Sequence, residues 1–377
     1  MTRLLVIKLR HIGDVLLTTP VYRVIRENVP DAHIAVMVNS GTEPMLSENP
    51  NIDELIVFDR SIKGQPFLKK CGSELSFLRG VRAGGFDTTV DLTGGDRGAI
   101  ASYVSGATRR IGRNTHKVSL WGKKALYTDL IGVDHTQHVV SQNLRLVTGL
   151  LGNDVQAPVR VEMHVPEAET HTAEAALKSS GVHQGDTLVH IHPMSRWQYK
   201  CWQDDYMADV ITWLVANGVK VVLTAAPDAR ERERVERIVS LTALSAASRA
   251  GGLISLGGAI TLKALAAISR RCALFFGVDS APMHIAAAVD TPVVALFGPS
   301  GVFNWGPWYN DATTLQPYPQ RNGPQTCGIH SVIQRDWPCI PCGKDGCNGS
   351  KKSDCLDDIT PSEVKHALTK ALNRNRP

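Results

Sequence analysis

The sequence predicts an α/β protein with two Rossmann-like domains that face each other across a cleft. Apolar runs of strand length recur in both halves of the chain, amphipathic helical segments separate them, and 377 residues are enough for two ordinary domains. Gly152 to Glu167 mixes polar residues and prolines and is the expected linker. We therefore expect an N-terminal domain over residues 1–160, a C-terminal domain over 161–360 and a closing helix over 361–377.

The composition is that of a mildly basic globular protein. Hydrophobic residues make up 43% of the chain and charged residues 20%, and 41 cations against 36 acids give a net charge of +5. This excess suggests an anionic ligand or surface but is too small for a nucleic-acid-binding signature. Charged residues interrupt the apolar start, and no apolar run approaches the ~20 residues of a membrane span. We expect a cytoplasmic protein with reduced cysteines.

The N-terminus predicts a strand, a loop and a helix. Leu4 to Ile7 is apolar, and Asp14 to Glu27 has its apolar side chains on one helical stripe. Asp14 is the expected N-cap, and Gly13 lets the backbone approach a ligand closely. Read as a functional residue, Asp14 is a carboxylate at a strand-to-helix switch that could act as a general base. Read as a structural one, it only caps the helix.

The rest of the first half continues the same alternation. Further strands are expected at His33–Val38, Glu54–Phe58 and Asp87–Leu92, and helices at Phe67–Ala83 and Val139–Leu151. The segment from Arg109 to Lys124 carries six Lys or Arg and no acid. It is either a solvated basic loop, or a site for a phosphate-rich acceptor or an anionic membrane surface.

The second half shows the same alternation of predicted strands and helices. Strands are expected at Thr187–Ile191 and Val219–Thr224, and helices at Asp204–Asn217 and Arg230–Leu241. A long loop follows the first of these strands and contains Ser195, Arg196 and Lys200. Lysine binds phosphate as a point charge, and the two preceding residues can donate hydrogen bonds to the same group. The loop therefore predicts a diphosphate site.

The stretch from Ala273 to Pro299 predicts a strand, a short helix and a second strand. Neither strand has a polar face, which indicates a parallel sheet covered on both sides. Ligands of such sheets bind where strands end and helices begin, and here that place holds Asp279 and Ser280. The helix N-terminus would attract phosphate, and Asp279 could bind hydroxyl groups. The alternative is a capped surface helix.

The segment over residues 327–355 is rich in cysteine, glycine and charged residues. Cys339, Cys342, Cys347 and Cys355 could hold a structural zinc ion, although their spacing is not that of a common zinc finger. The alternative is a loop with unpaired or reversibly oxidised thiols.

Three motifs in order resemble the ADP-heptose:lipopolysaccharide heptosyltransferases, which are glycosyltransferase family 9 enzymes with the GT-B fold. They are VIKLRHIGD at 6–14 followed by LTTP at 17–20, KCW at 200–202, and GVDSAPMH at 277–284. The similarity extends from Leu4 to about Trp308. Each motif alone is weak, but the ordered set is specific. Its details are most similar to the members that add a branch heptose to the second inner-core heptose.

The resemblance implies an inverting transfer from ADP-heptose to a phosphorylated, lipid-linked core oligosaccharide, with peripheral contact to the inner membrane possible. The implied scheme requires no metal or other cofactor. The cysteine-rich segment 327–355 departs from the family pattern, so we expect it to be peripheral to the chemistry. Asp14 matches the catalytic aspartate of the family, and either Asp228 or Glu231 is expected to bind the adenosine ribose. The expected donor-binding residues are Ser195, Lys200, Asp279, Ser280, Ala281 and His284. The expected acceptor-binding residues are Lys8, Arg10, His11, Arg113 and Lys117.

Two other classes of function stay open at this point. One is another heptosyltransferase step or another GT-B sugar-nucleotide enzyme, such as an epimerase that needs no acceptor. The other is a zinc-bearing interaction protein in which the same fold has lost catalysis, and the presence of Asp14, Lys200 and Asp279 argues against it.

Overall fold

The computed structural model describes residues 2–64, 66–114, 122–152 and 154–374. The chain divides into two compact units, Met1–His164 and Val165–Pro377, and this division falls within the segment expected to be the linker. Among the described residues, no helix has the length and apolar character needed to cross a bilayer.

The first unit contains a six-stranded, fully parallel sheet with the order β3-β2-β1-β4-β5-β6. Its strands are β1 (Arg3–Lys8), β2 (His33–Asn39), β3 (Glu54–Phe58), β4 (Thr88–Asp91), β5 (Arg109–Arg113) and β6 (Asp129–Ile131). Its α-helices are α1 (Ile12–Leu16), α2 (Thr19–Asn28), α3 (Phe67–Ala83), α4 (Asp96–Val104) and α5 (Val139–Leu151).

The second unit contains a seven-stranded sheet with the order β12-β13-β11-β10-β7-β8-β9, in which only the edge pair β12–β13 is antiparallel. Its strands are β7 (Leu188–His192), β8 (Lys220–Leu223), β9 (Leu253–Ser255), β10 (Leu274–Val278), β11 (Val293–Leu296), β12 (Gln325–Cys327) and β13 (His330–Ile333). Its α-helices are α6 (Glu167–Ser179), α7 (Asp204–Ala216), α8 (Ala229–Leu241), α9 (Ala246–Gly252), α10 (Leu262–Arg271), α11 (Ala281–Ala288), α12 (Val302–Trp305), α13 (Asp354–Asp357) and α14 (Pro361–Arg374).

Both sheets have the order of a doubly wound α/β fold. In each unit the first strand lies in the middle, next to the fourth, and the chain winds outward from there in both directions. Ligands of such folds bind at the switch point, beyond the carboxyl ends of these two central strands. The two switch points are β1/β4 and β7/β10, and β7, β10 and β11 are buried along their whole lengths.

The expected single helix from Asp14 to Glu27 is wrong, because the structure forms the separate helices α1 and α2. Pro20 lacks an amide proton and its ring would collide with the carbonyl of Leu16 in a continuous helix. The hydroxyls of Thr18 and Thr19 instead donate to the carbonyls of Val15 and Leu16, at 2.6 Å and 3.0 Å. Asp14 consequently lies in the first turn of α1, and the N-cap position belongs to His11.

The cysteine-rich segment 327–355 contains a strand that the sequence analysis does not predict. Residues 330–333 form β13, which pairs in parallel with β11 and extends the sheet of the second unit. The first five residues of the basic segment, 109–113, are likewise a strand, β5, although their sequence RRIGR is mostly cationic.

Candidate active site

The switch point of the first unit places a carboxylate near a buried ammonium group. Asp14 lies in the first turn of α1 and is partly buried. Lys8 ends β1 with only 2% of its surface exposed, and its Nζ donates to Asn143 Oδ1 at 3.2 Å and to the Leu92 carbonyl at 3.5 Å. Burial lowers the pKa of Lys8 to about 8, and the negative charge of Asp14 opposes that decrease. Lys8 is therefore a positioned, weakly hydrated cation that interacts electrostatically with Asp14.

A second buried carboxyl group, Asp91, lies at the end of the neighbouring strand β4. It accepts hydrogen bonds from the Thr93 amide at 2.8 Å, from the Gly94 amide at 3.4 Å and from the Tyr127 hydroxyl at 2.5 Å. Burial raises the pKa of Asp91 despite these bonds. A Cβ atom on Gly98 would lie 2.5 Å from Asp91 Oδ2, so glycine is required there. Asp91 is thus a structural part of the loop wall rather than an exposed base.

The structure brings several of the expected acceptor-binding residues to this place. Arg10 and Arg113 are close enough to Lys8 for both cations to lower its pKa further. Arg113 donates to Gln142 Oε1 at 3.0 Å, and its buried Nε has no hydrogen-bond partner among the described residues. His11 is exposed at the N-cap position of α1. Lys117 lies outside the described residues.

Three other cations of the basic segment, Arg109, Arg110 and Lys123, bind the main chain. Arg109 donates to the carbonyls of Gly149 and Leu150, and Arg110 donates to the carbonyls of Ala107 and Leu126. Lys123 is buried and donates to the Gly94 carbonyl at 3.0 Å. These three cations therefore brace the sheet and its loops, and residues 115–121 of the segment lie outside the described residues.

The switch point of the second unit joins two of the expected donor-binding residues in an ion pair. Lys200 Nζ lies 2.6 Å from Asp279 Oδ2, although 79 residues separate them in the chain. Asp279 follows β10 and is 6% exposed, and Lys200 ends a 3-10 turn in the loop after β7. Burial opposes the ionisation of Asp279, but Lys200 and a hydrogen bond from Ser300 outweigh it and hold its pKa below the ordinary value.

The N-terminus of α11 begins directly after this ion pair. Ser280 occupies the N-cap position without capping the helix through its side chain, and its Oγ is buried with no hydrogen-bond partner among the described residues. Ala281 starts the helix, and His284 is buried one turn later. The alternative of a capped surface helix is wrong, because residues 282–288 are all buried and the Asp279 side chain binds Lys200 instead. The first amides of α11 remain available to an anion.

Ser195 lies in the loop after β7 and is almost fully buried. Its Oγ accepts a hydrogen bond from the Trp197 amide at 3.3 Å, and its own amide donates to Cys201 Sγ at 3.3 Å. These bonds fix the shape of the loop that carries Lys200. A direct contact of Ser195 with the donor stays a prediction.

The two candidate ribose-binding acids occupy different environments. Asp228 is exposed and caps α8 by accepting from the amides of Arg230 at 3.0 Å and Glu231 at 3.4 Å. Glu231 is largely buried, accepts from the Ala226 amide at 2.8 Å, and lies 3.8 Å from His192 Nε2. Burial raises the pKa of Glu231. Because His192 is the last residue of β7, Glu231 and not Asp228 reaches the switch point.

The segment after β13 contacts two loops at the switch point of the second unit, while its peripheral place relative to the chemistry stays a prediction. Gln334 donates to the carbonyls of Gly298 at 2.9 Å and Ser300 at 2.8 Å, and the Cys342 amide donates to the intervening carbonyl at 3.2 Å. On the other side, Ser353 Oγ donates to the carbonyl of Tyr199, the neighbour of Lys200, at 2.6 Å. Sequence reasoning missed this role because these contacts join distant parts of the chain.

The four cysteines of this segment do not form a metal site in the structure. All eight cysteines of the chain are unpaired thiols, and Cys355 is buried beside the other three of the group. Burial, with the nearby thiols, raises the pKa of Cys355 to about 12. Across the described residues, no group of three or more His, Cys, Asp or Glu side chains has an arrangement that could hold a metal ion. The structure therefore gives the zinc hypothesis no support.

The architecture of the two units is that of the GT-B fold. Solved structures with this fold include the glycosyl transferase family 9 protein from Veillonella parvula, with a TM-score of 0.78, 24% identity and coverage of 99% of this chain and 97% of that one. Another is E. coli ADP-heptose lipopolysaccharide heptosyltransferase II, with a TM-score of 0.75, 21% identity and 99% coverage of both chains.

The sequence comparisons identify the family. Residues 75–327 match "Glycosyltransferase family 9 (heptosyltransferase)". The chain is 34% identical to lipopolysaccharide heptosyltransferase 3 of Escherichia coli over 307 residues, which cover 80% of this chain and 85% of that protein. It is 25% identical to lipopolysaccharide heptosyltransferase 2 of E. coli K12, over 98% of both. The chain belongs to glycosyltransferase family 9, the heptosyltransferases, and is a transferase.

Proposed function

We propose that this enzyme transfers heptose from ADP-L-glycero-D-manno-heptose to the second inner-core heptose of a phosphorylated lipopolysaccharide core, as a heptosyltransferase III. The observation that carries the proposal is the 34% identity with lipopolysaccharide heptosyltransferase 3 over most of both chains, compared with 25% for heptosyltransferase 2. The polar groups at the two switch points support it, because they divide into a set suited to an acceptor hydroxyl and a set suited to a diphosphate.

In this scheme Asp14 is the general base. It accepts the proton of the acceptor hydroxyl while that oxygen attacks the anomeric carbon of the donor and ADP departs from the opposite face, which inverts the centre. Lys8 supports this role from a fixed position, because its ammonium group places a positive charge near the Asp14 carboxylate. Arg10 and Arg113 supply positive charge for the phosphates of the acceptor core.

The donor is bound by the second unit. Lys200 and the first amides of α11 stabilise the negative charge that grows on the diphosphate as ADP leaves. Asp279, which Lys200 holds in place at 2.6 Å, accepts hydrogen bonds from the heptose hydroxyls. We assign the ribose to Glu231, since Glu231 is largely buried beside His192 at the switch point, whereas Asp228 is exposed and caps α8. The scheme uses only side chains and amides of this chain, and no metal.

We further propose that the enzyme works at the cytoplasmic face of the inner membrane. Support comes from the exposed N-terminal end of α3, where Phe67 is 77% exposed and Leu68 is 84% exposed. Lys69 and Lys70 follow directly, so apolar and cationic side chains occur together, as in helices that lie on anionic bilayers. Such a contact would keep the enzyme near its lipid-linked acceptor.

The variant Asp14→Asn tests the mechanism, since it keeps the shape of the side chain and removes the base. Transfer to a core that already carries two heptoses, followed by mass spectrometry, should fall by about a hundredfold or more. The dissociation constant of ADP-heptose, measured by calorimetry, should stay within about twofold, because the donor is bound by the other unit. Asp31→Asn, in the exposed turn before β2, is the matched control and should transfer normally. Wild-type activity in Asp14→Asn would remove Asp14 from the mechanism.

A further inference from the structure

A chain of four buried polar side chains connects the core of the second unit to Glu231. Ser269 Oγ lies 2.8 Å from His190 Nδ1, and His190 Nε2 lies 2.8 Å from Thr224 Oγ1. Thr224 Oγ1 in turn lies 2.9 Å from His192 Nδ1. All four side chains are buried. Because each contact needs one donor and one acceptor, the protons along this chain are not independent of one another.

The donor and acceptor in each of these hydrogen bonds follow from Ser269, at the end of the network that lies in the core. Ser269 Oγ donates its single proton to the Leu265 carbonyl one helical turn earlier, at 3.0 Å, so it accepts from His190 Nδ1. Burial lowers the pKa of His190 to about 3 and that of His192 to about 4, so each ring carries one proton at neutral pH. His190 Nε2 therefore accepts the proton of Thr224, and Thr224 Oγ1 accepts from His192 Nδ1.

This assignment leaves a lone pair on His192 Nε2, at the end of the chain that meets the switch point. Glu231 Oε2 lies 3.8 Å from it, which is beyond hydrogen-bond range. No described residue donates a hydrogen bond to His192 Nε2. Glu231 Oε2 already accepts from the Ala226 amide at 2.8 Å, and a carboxylate oxygen can accept a second hydrogen bond. Two acceptors thus lie side by side at the carboxyl end of β7, and a ligand with two neighbouring donors can bind both.

We propose that His192 and Glu231 together bind a vicinal diol, with each accepting one hydroxyl proton, and that His192 is thereby a specificity-determining residue for the ribose of the donor nucleotide. The inference rests on the proposed function, which supplies a ribonucleoside diphosphate as the ligand. Thr224 and His190 are positioning residues, because they act only by fixing which nitrogen of His192 carries the proton.

The site predicts selection against deoxynucleotides. A ligand that lacks one ribose hydroxyl leaves a buried acceptor unpaired, which should weaken binding by about tenfold or more. His192→Phe fills a similar volume without an acceptor, so this variant should bind ADP more weakly than the wild type does. One of the two deoxynucleotides lacks the hydroxyl that faces residue 192, and its affinity should be the same in the variant and the wild type. Glu231→Gln should reduce the preference for ADP over the deoxynucleotide that lacks the other hydroxyl. Asp228→Asn is the matched control and should discriminate as the wild type does.

The experiment is calorimetric titration of the full chain with ADP, 2′-deoxy-ADP and 3′-deoxy-ADP, without heptose. The inference is supported if the wild type binds ADP more tightly than both deoxynucleotides, and if His192→Phe no longer prefers ADP over one of them. Equal binding of all three nucleotides by the wild type overturns it and leaves the proposed function intact. Failure of the wild type to bind ADP at all would contradict the proposed function itself.

A second readout does not depend on the His192→Phe variant being folded. In the ¹⁵N spectrum of the wild type, His192 should be protonated at Nδ1 and unprotonated at Nε2 across neutral pH. Thr224→Val removes the acceptor for that proton, so the ring should shift towards the other tautomer and the preference for ADP should fall. A proton on Nε2 of His192 in the wild type would overturn the assignment.

Discussion

The ion pair between Lys200 and Asp279 makes a prediction about stability that depends on pH. Lys200→Met keeps the length of the side chain but leaves Asp279 buried without its cation. In the wild type the pKa of Asp279 lies below the ordinary value of 3.8, so its contribution to stability is present above that pH and is lost as the pH falls further. In the variant burial dominates, the pKa of Asp279 rises above 3.8, and stability decreases as the pH rises through this range.

The size of the effect follows from the burial of the pair. Breaking a fully buried pair by removing one partner costs about 3–5 kcal/mol. The side chain of Lys200 is 19% exposed and that of Asp279 7%, so solvent screening reduces the loss moderately. We expect the variant to lose about 2 kcal/mol of unfolding free energy at neutral pH and much less near pH 4. Adding Asp279→Asn should restore most of this loss, because it removes the unpaired charge.

Urea unfolding of wild type and variant, followed by tryptophan fluorescence between about pH 4 and pH 7.5, measures the effect. The control is Lys365→Met, which breaks the pair with Asp209 at 2.8 Å on the outer surface. That pair is 25% and 51% exposed, so its loss should cost under about 1 kcal/mol. A loss in Lys200→Met that equals the control, or that does not grow between pH 4 and neutral pH, would refute the reasoning.

Three other changes have defined outcomes. Gly277→Ala places a Cβ atom 2.6 Å from the His192 carbonyl oxygen, so the melting temperature and the ADP affinity should both fall, and an unchanged melting temperature would contradict the close strand contact. Above about pH 8 the unfolded chain still binds the Lys8 proton and the folded chain does not, so the unfolding free energy of the wild type should rise with pH. Lys8→Met should abolish this rise, and identical pH profiles for the variant and the wild type would count against a lowered pKa of Lys8. Phe67→Ser combined with Leu68→Ser should reduce co-sedimentation with phosphatidylglycerol vesicles while transfer to a delipidated core is retained, and undiminished sedimentation would exclude this end of α3 as the contact.

The sequence was informative where the local pattern determined the structure. The strands β1, β10 and β11 are continuous apolar runs, and such runs are buried only in the middle of a covered parallel sheet. The polar residues that follow these strands had to lie at one edge of a sheet. This reasoning placed Asp14 and Asp279 correctly at the switch points before any contact was known.

Sequence reasoning failed where tertiary contacts override local pattern. The strand β5 reads RRIGR, and its arginines are tolerated because Arg109 and Arg110 donate to main-chain carbonyls that distant loops and α5 provide. Pro20 is the local signal for the break between α1 and α2, because its ring would clash with the preceding turn of a continuous helix. The strand β13 pairs with β11 across a long intervening segment, which no short-range pattern reports.

The contacts within the candidate site could not be predicted without knowing which strands are neighbours in the sheet. Lys200 and Asp279 were expected at the same kind of edge, but their contact depends on β7 and β10 being neighbours. The proposed choice of Glu231 over Asp228 depends on which of the two carboxylates lies beside the end of β7, and that is a tertiary contact. His192 was overlooked, although its place at the end of a buried strand beside the loop of Lys200 was a signal available in the sequence.

The most direct test of the central claim is a transfer assay read by mass spectrometry. ADP-heptose would be offered with core oligosaccharides that carry two, one or no inner-core heptoses. The account predicts that only the core with two heptoses gains mass, by one heptose unit. Gain on a shorter core would assign the enzyme to an earlier step, and no gain on any of the three, with ADP-heptose binding intact, would contradict heptose transfer to the inner core.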